Sequence, residues 1–336
     1  MTSSIYFKLF ACCIPVKGAS RSIVCDIQRG EYILIPNGVY EILTTYKNYT
    51  IEEIKRAYDY EYNDIIDDYF NELLKKELGF WTKEPHLFPD INLEWKSPRK
   101  ITNAIIDIDE NSNHDYLLLF QQLDALGCES VQFRYYTPTA FSQIKSTIHY
   151  IKYTRLRSAE LMIFFQQNLT EDSIRELYKE EARISLVVLH SAPWNNIIEI
   201  EANKFLVFSS EIVVSSDCCG KIKSDYFSIN INVFTEAQQY NTCLNRKIGI
   251  DVKGNIKNCP SFEKSFGNMS NVTLNEVIQQ EEFKRFWKIH KDQIEVCKDC
   301  EFRYICTDCR AYINEPSNIY SKPSKCTYDP YTATWK

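Results

Sequence analysis

The first 85 residues carry apolar patterns that predict strands followed by helices. Three stretches rich in β-branched and aromatic residues come first, and they read "IYFKLFACCIPV", "RSIVCDIQ" and "EYILIPN". Three helical patterns follow, and the third places its apolar side chains on one stripe before Gly79 ends it. Thr50 and Glu53 have the spacing of a capping box at the second helix. We therefore predict a small strand-then-helix domain over residues 1–85.

The chain between residues 98 and 235 alternates strand patterns with helix patterns. After a proline-broken stretch, the predicted strands are "ITNAIIDIDE", "SVQFRYYT", "AELMIFFQQ", "ISLVVLHS", "KFLVFSSEIVVSS" and "YFSINI". Helical patterns of roughly 10–15 residues separate the first four, which is typical of parallel βαβ units. Too few units are visible for a closed eight-stranded barrel. The pattern therefore predicts an α/β domain built as a partial barrel or an open sheet.

Composition and charge narrow the classes of function. With 336 residues, the chain is long enough to bury a core without disulfides or metals. A net charge of −6 and the lack of a basic stripe argue against general binding to nucleic acid or to an anionic membrane. The apolar runs fall far short of the ~18 residues of a membrane-spanning helix. We expect a cytoplasmic protein, and in that reducing compartment clustered cysteines indicate metal rather than disulfides.

Residues 236–336 are irregular and cysteine-rich, with one predicted helix over 273–290. Their densest stretch is "CKDCEFRYICTDC", residues 297–309. A tight turn lets the two thiolates of a C-x2-C pair face one ion or cluster, and thiolates ligate both zinc and iron–sulfur clusters. The candidate ligands are Cys243, Cys259, Cys297, Cys300, Cys306, Cys309 and Cys326. Seven thiolates are one short of two four-cysteine sites, so a further ligand would come from Cys218, Cys219 or a non-cysteine group. Spacing alone leaves zinc and iron–sulfur open.

The cysteine pattern resembles the SPASM domain, the auxiliary-cluster module of many radical SAM peptide-maturing enzymes. The resemblance lies in "GNIKNC" (254–259), the dense run 297–309 and the late Cys326, and it covers roughly 243–326. It implies two auxiliary [4Fe–4S] clusters. Cys243, Cys259 and Cys309 would serve the first cluster, together with a further ligand from upstream or with an open site. The second cluster would be held by Cys297, Cys300, Cys306 and Cys326.

A radical SAM enzyme also needs a C-x3-C-x2-C loop after its first barrel strand, and this chain has none. Residues 105–116, "IIDIDENSNHDY", stand in that place and contain no cysteine. The middle domain therefore resembles a degenerate radical SAM domain, and we expect no cleavage of S-adenosylmethionine. The acidic group there is Asp107, Asp109, Glu110, His114 and Asp115. It could bind a cation or a basic part of a substrate, although a solvated loop is the simpler interpretation. His190 on the same predicted rim is interpreted as a structural or solvent-facing histidine.

This combination resembles the SPASM-domain peptide maturases of grasp-with-spasm systems, which act beside an ATP-grasp ligase and a short precursor peptide. The resemblance implies an accessory maturation protein for graspetide-type ribosomal peptides, not an independent enzyme. It would bind the precursor leader and the partner ligase, with residues 236–336 as its SPASM domain. Two alternatives stay open, an iron–sulfur redox or electron-transfer enzyme acting on a peptide, and a zinc-stapled adaptor. Whether two chains form a homodimer is also open.

The N-terminal layout resembles the winged-helix, PqqD-like domains that recognise leader peptides. Such domains add the peptide as a strand to the edge of a sheet. The matching positions are the strand 31–36 and the helix 63–78. The predicted peptide-binding residues are Glu31, Tyr32, Ile33, Leu34, Asp67 and Asp68. A DNA-binding winged helix is disfavoured because this acidic helix would face phosphates.

Overall fold

A computed structural model describes residues 5–336. The chain divides into two compact units. The first unit contains the chain up to Trp95 together with Ile222–Thr242 and Ile289–Lys336. The second unit contains Lys96–Lys221 and Cys243–Lys288. Residues of the predicted C-terminal domain are thus distributed over both units, and the predicted boundaries 1–85, 98–235 and 236–336 stay predictions.

The N-terminal elements belong to the first unit and follow the predicted order of strands before helices. They are β1 Tyr6–Leu9, β2 Cys13–Val16, β3 Ser22–Asp26, β4 Glu31–Ile35, α1 Asn37–Thr44, α2 Ile51–Ala57, α3 Asn63–Lys75 and β5 Gly79–Thr82. The predicted first strand is broken by a turn, so β1 pairs with β5 while β2, β3 and β4 form an antiparallel sheet. The capping box of Thr50 and Glu53 at α2 is confirmed. The winged-helix assignment stays a prediction.

The two faces of the β2–β3–β4 sheet are covered by different parts of the chain. Val24 and Ile35 pack with Ile66, Phe70 and Leu73 of α3. The opposite face, which includes Val16, Ile23 and Cys25, lies in one apolar cluster with residues from the C-terminal end of the chain. Those C-terminal residues are Phe302, Ile305, Cys306 and Tyr328. The N-terminal strands therefore complete their core with side chains some 280 positions later in the sequence, a separation seen directly between Arg21 and Glu301.

The second unit is built on a mixed sheet with helices packed on one of its faces. Its elements in chain order are β6 Asn103–Ile108, α4 Tyr116–Ala125, β7 Ser130–Tyr135, α5 Phe141–His149, β8 Ser158–Phe164, α6 Glu171–Glu180, β9 Ile184–His190, β10 Asn196–Glu201 and β11 Lys204–Phe208. The predicted βαβ alternation is confirmed, since β6, β7, β8, β9 and β11 pair in parallel in that order. β10 was not predicted and forms an antiparallel hairpin with β11.

The remaining elements are short and divide between the units. They are α7 Ile231–Ala237, β12 Lys247–Ile250, β13 Ile256–Lys257, α8 Leu274–Gln279, β14 Tyr328–Asp329 and β15 Thr334–Trp335. β12 pairs in parallel with β6 and in antiparallel fashion with β13, so within the described residues the sheet has eight strands in the order β10-β11-β9-β8-β7-β6-β12-β13. The fold is a mixed α/β architecture with a mostly parallel sheet.

Three element predictions are wrong or too long. The predicted strand "YFSINI" is not a strand, because the Asn230 side chain accepts a hydrogen bond from the Val233 N–H and begins α7. The helix predicted over 273–290 ends at Gln279, since Gln280 takes an extended conformation. The strand predicted from Lys204 ends at Phe208. None of the helices in residues 5–336 has the length and apolar character that crossing a bilayer requires.

Candidate metal centres and an open strand edge

Four of the predicted ligands meet in the first unit, and we call Cys297, Cys300, Cys306 and Cys326 the Cys306 group. A short helical turn over Cys297–Asp299 brings the Cys300 N–H to the Cys297 carbonyl at 3.0 Å. Cys300, Cys306 and Cys326 pack in the same apolar cluster. The pKa of Cys297 is raised to about 12, mainly by burial, with smaller contributions from Cys306 and Cys326 that raise it and from Lys291 that lowers it. These thiols therefore lie close enough to influence one another.

A buried lysine lies beside the sulfurs of this group. Lys291 is 5% exposed, and its Nζ donates to Cys306 Sγ at 3.0 Å and to the Thr307 carbonyl at 3.2 Å. Burial by itself lowers the pKa of Lys291, but the Cys306 and Cys297 thiols and the Asp308 carboxylate raise it above its ordinary value. The ammonium therefore stays charged beside the sulfurs.

Within residues 5–336, one set of three metal-ligating atoms lies within 4.8 Å of one another, and it consists of Cys12, Cys13 and Asp26. The Cys306 group is not such a set. Thiolates ligate both zinc and iron–sulfur clusters, so the positions of these sulfurs leave both metals open.

In the second unit three cysteines gather around Lys247, and we call Cys219, Cys243 and Cys259 the Cys243 group. Cys243 precedes β12 and Cys259 follows β13. Lys247 Nζ donates to Cys243 Sγ at 3.5 Å. Burial lowers the pKa of Lys247, but the nearby thiols of the whole group raise it above its ordinary value.

Gly254 gives the hairpin before Cys259 its shape. Its φ of +79° lies in the left-handed region, which favours glycine, and the turn from Asp251 to Asn255 closes around it. The glycine of the "GNIKNC" motif is therefore required by the backbone that delivers Cys259. The backbone conformation therefore explains a glycine that, from the sequence, was identified only by resemblance to the family pattern.

The two candidates for the additional ligand, Cys219 and Cys218, have different surroundings. Cys219 influences the pKa of Lys247 together with Cys243 and Cys259. Cys218 instead donates its S–H to the Ser215 carbonyl at 3.1 Å, and burial is the main cause that raises its pKa. Cys309 belongs to the first unit and is half-buried.

The other cysteines are packed as small apolar side chains. Burial raises the pKa of Cys25 and of Cys128 to about 12. Cys12 and Cys13, whose sulfurs lie 4.0 Å apart, approach Asp26, a grouping that the sequence did not reveal because the residues lie on neighbouring strands. The Asp26 carboxylate, however, accepts from Arg29 Nε at 2.6 Å, so its charge is already neutralised.

The acidic residues after β6 are used within the fold. Asp107 and Arg134 form a buried ion pair at 2.6 Å, although burial raises the pKa of Asp107. Asp115 caps α4 by accepting from the Leu118 N–H at 2.9 Å. His190 is buried with Nε2 at 2.8 Å from the Tyr135 carbonyl, and burial lowers its pKa. These contacts favour the structural interpretation of the rim.

β4 is an edge strand of the N-terminal sheet. Within the described part of the chain it pairs with β3 alone. Ile27 of the β3 segment donates its N–H toward β2, to the Cys12 carbonyl, whereas the Asp26 carbonyl accepts on the β4 side. Because these directions alternate along an antiparallel strand, Ile33 bonds to β3 while Tyr32 and Leu34 point their backbone groups outward.

A groove runs between β4 and α3. A cavity of about 310 Å³ lies where Glu31 and Ile33 face Lys76 and Leu78, and the Arg29 guanidinium fixes this end by donating to the Lys76 carbonyl at 2.9 Å. A second, apolar cavity of about 230 Å³ is lined by Pro36, Tyr62, Ile65 and Tyr69 at the other end of the strand. β4 and α3 therefore run in opposite directions along one groove.

The predicted peptide-binding side chains do not all face this groove. The Tyr32 ring packs against Phe302, with centroids 5.4 Å apart, on the opposite face of the sheet. Leu34 is exposed on that same face. Asp67 is paired with Lys55 at 2.6 Å, whereas Asp68 is exposed. Of the predicted set, Glu31, Tyr32 and Ile33 line the cavity at this end of the groove, although the Tyr32 ring packs on the opposite face.

Residues 242–301 match the SPASM family, described as an iron–sulfur cluster-binding domain. This segment contains β12, the β12–β13 hairpin and the first C-x2-C pair of the dense run. No curated protein sequence matches the chain.

Two crystal structures of SuiB from Streptococcus suis are similar to the chain at low sequence identity. The structure bound to precursor peptide SuiA has a TM-score of 0.43 and 11% identity, and the match covers 96% of this chain and 98% of SuiB. The structure bound to S-adenosylmethionine has a TM-score of 0.41 and 12% identity, with 97% and 99% covered. At this level of similarity no role is transferred from SuiB to this chain.

Proposed function

We propose that this protein is an accessory factor in the maturation of a ribosomally made peptide and that it carries two [4Fe–4S] clusters. The observation that carries this proposal is the convergence of the Cys306 group in one unit, within and beside a segment that matches an iron–sulfur cluster-binding domain. When bound, such a cluster supplies one-electron chemistry or a structural cross-link.

The proposed ligand sets follow the two groups of cysteines. Cys297, Cys300, Cys306 and Cys326 would hold one cluster. Cys243 and Cys259 would hold the other, with Cys219 as a further ligand. Cys309 stays a ligand that the resemblance alone implies. Cys219 is preferred over Cys218 because it lies with Cys243 and Cys259 around Lys247.

The middle domain is proposed to be a degenerate radical SAM-like partial barrel. Its first strand, β6, leads into a loop without cysteine. The Asp107 carboxylate, on the last but one residue of this strand, is neutralised by Arg134. A loop of this kind has no thiolates with which to hold a cluster that binds S-adenosylmethionine.

The proposed partners are a precursor leader peptide and the ATP-grasp ligase that modifies it, in the cytoplasm. The outward backbone groups of Tyr32 and Leu34 can accept an added strand, and the apolar cavity beside α3 can take a side chain of that strand. In this proposal the N-terminal elements act as a winged-helix recognition domain. The ligase partner rests on the resemblance to grasp-with-spasm maturases.

Anaerobic purification followed by metal and sulfide analysis tests the proposal. We expect a brown protein with about eight iron and eight acid-labile sulfide atoms per chain, as two four-iron clusters require. Zinc at about two ions per chain without labile sulfide would instead identify a zinc-stapled adaptor.

A further inference from the structure

In each group of candidate ligands, a lysine ammonium donates a hydrogen bond to a cysteine sulfur. Lys291 Nζ lies 3.0 Å from Cys306 Sγ in the first unit. Lys247 Nζ lies 3.5 Å from Cys243 Sγ in the second unit. Lysine is among the side chains least often buried, yet Lys291 is only 5% exposed.

The carboxylate nearest to Lys291 is committed to other partners. Asp308 accepts from Arg310 at 2.7 Å and from Asn241 Nδ2 at 2.5 Å, and it is 1% exposed. The acceptors that Lys291 reaches are the Cys306 sulfur and the Thr307 carbonyl. The lysine is therefore directed at the ligand sulfur and not used in a simple carboxylate ion pair.

We propose that Lys291 and Lys247 donate N–H···S hydrogen bonds to ligand sulfurs and so raise the reduction potentials of the two clusters. This inference rests on the proposed function, because it requires clusters at both groups. In the step concerned, the cluster gains one electron from a soluble low-potential donor, and the lysine keeps its proton. A thiolate-bound cluster gains negative charge on reduction. A buried cation and a hydrogen bond to sulfur both favour that state.

The test is an anaerobic dithionite titration of the full chain, followed by electron paramagnetic resonance. Lys291→Met is expected to shift one midpoint potential downward, and Lys247→Met is expected to shift the other. Lys291→Arg keeps the charge and should restore most of the wild-type value. Lys298→Met is the matched control, because Lys298 lies between Cys297 and Cys300 but is exposed, where water and salt screen its charge. It should leave both potentials unchanged.

Wild-type potentials in both methionine variants, or an equal shift in Lys298→Met, would overturn the inference. If Lys291→Met loses iron, the result for Lys291→Arg decides between the two roles. Iron retained in Lys291→Arg at a wild-type potential supports the role of the charge. Iron lost from Lys291→Arg as well would mean that Lys291 is a packing residue and that the inference is wrong. A wild-type protein that contains zinc in place of iron would refute the proposed function instead.

Discussion

At the scale of single residues, the ligand cysteines combine burial with a need to ionise. Burial raises the pKa of Cys297, Cys300 and Cys306 although Lys291 opposes the change, so these thiols keep their protons when no metal is bound. A metal centre neutralises the thiolates and replaces those protons, which links ligation to folding. The segment around the Cys306 group is therefore expected to be less stable without its metal.

Cys300→Ala should lose one cluster and loosen residues 290–336, whereas Cys128→Ala should keep full iron content. Cys128 is an apt control because it is also buried but lies in the core of the second unit. The measurements are iron per chain, expected to fall by about half in Cys300→Ala, and limited proteolysis. Equal loss of iron in both variants would show that the ligand assignment is wrong.

His190 should make stability fall as the pH drops below about 6.5. Its native pKa is lowered by burial, so below its unfolded pKa of about 6.5 the unfolded chain binds a proton that the native chain does not. Stability is therefore lost as pH falls through this range. His190→Gln keeps a donor for the Tyr135 carbonyl and should flatten the dependence of melting temperature on pH.

The control for this change is His149→Gln, because His149 is exposed. An unchanged slope of melting temperature against pH in His190→Gln would mean that other groups carry the acid sensitivity.

At the scale of elements, β4 has one edge bonded to β3 and one edge available. Its outward backbone groups belong to Tyr32 and Leu34, so a substitution that removes an outward N–H is the sharpest probe of strand addition. Ile33→Pro would be a poor probe, because the Ile33 backbone faces β3 and the change would break the sheet itself.

Leu34→Pro is expected to weaken binding of a labelled leader peptide at least several-fold, since one strand hydrogen bond is lost. Leu34→Ala, which removes the exposed side chain and keeps the N–H, should bind nearly as wild type. Fluorescence anisotropy measures the affinity, and circular dichroism checks the fold. Equal affinity for both variants would rule out strand addition at this edge.

Elements defined by local pattern were predictable from the sequence. The βαβ alternation and the capping box of α2 rest on apolar spacing and on the local Thr50–Glu53 bond, and both were confirmed. β10 was missed because its apolar face is short, consisting of Ile198 and Ile200, while most of its residues are exposed. Its pairing with β11 is what defines it as a strand. The predicted end of the helix at residue 290 was wrong. The apolar residues keep helical spacing beyond Gln279, but the backbone becomes extended at Gln280.

The sequence predicted only those residues of the candidate site that residue type and spacing identify. The C-x2-C spacing of the thiol pairs predicts a metal or cluster site, and the family match over 242–301 agrees with that prediction. Lys291 and Lys247 could not be found, because lysine is common and nothing in spacing marks one that is directed at a sulfur. The sequence also did not predict which β4 side chains face the groove and which face the opposite side, because this depends on how β4 pairs with β3.

At the scale of the whole molecule, the chain combines cluster-type ligands with a parallel sheet that lacks the cysteine loop of radical SAM enzymes. We predict that the reduced protein forms no 5′-deoxyadenosine from S-adenosylmethionine above a no-enzyme control. The reason is that residues 105–116 offer no thiolate, and Asp107 is already paired with Arg134. Liquid chromatography with mass detection gives the measurement, and reductant-dependent product would contradict the prediction.

The first unit is assembled from both ends of the chain, and this has a consequence for biosynthesis. The face of β2 and β3 that carries Val16 and Ile23 is covered by Phe302 and Ile305. At roughly 5–20 residues per second, the ribosome delivers those covering residues some tens of seconds after the strands have emerged. During that interval the nascent chain exposes an apolar sheet face and has none of the Cys306 group. Translation therefore has to pass residue 328 before either the core or that centre can be completed. A chain stalled before residue 302 is a natural client for chaperones.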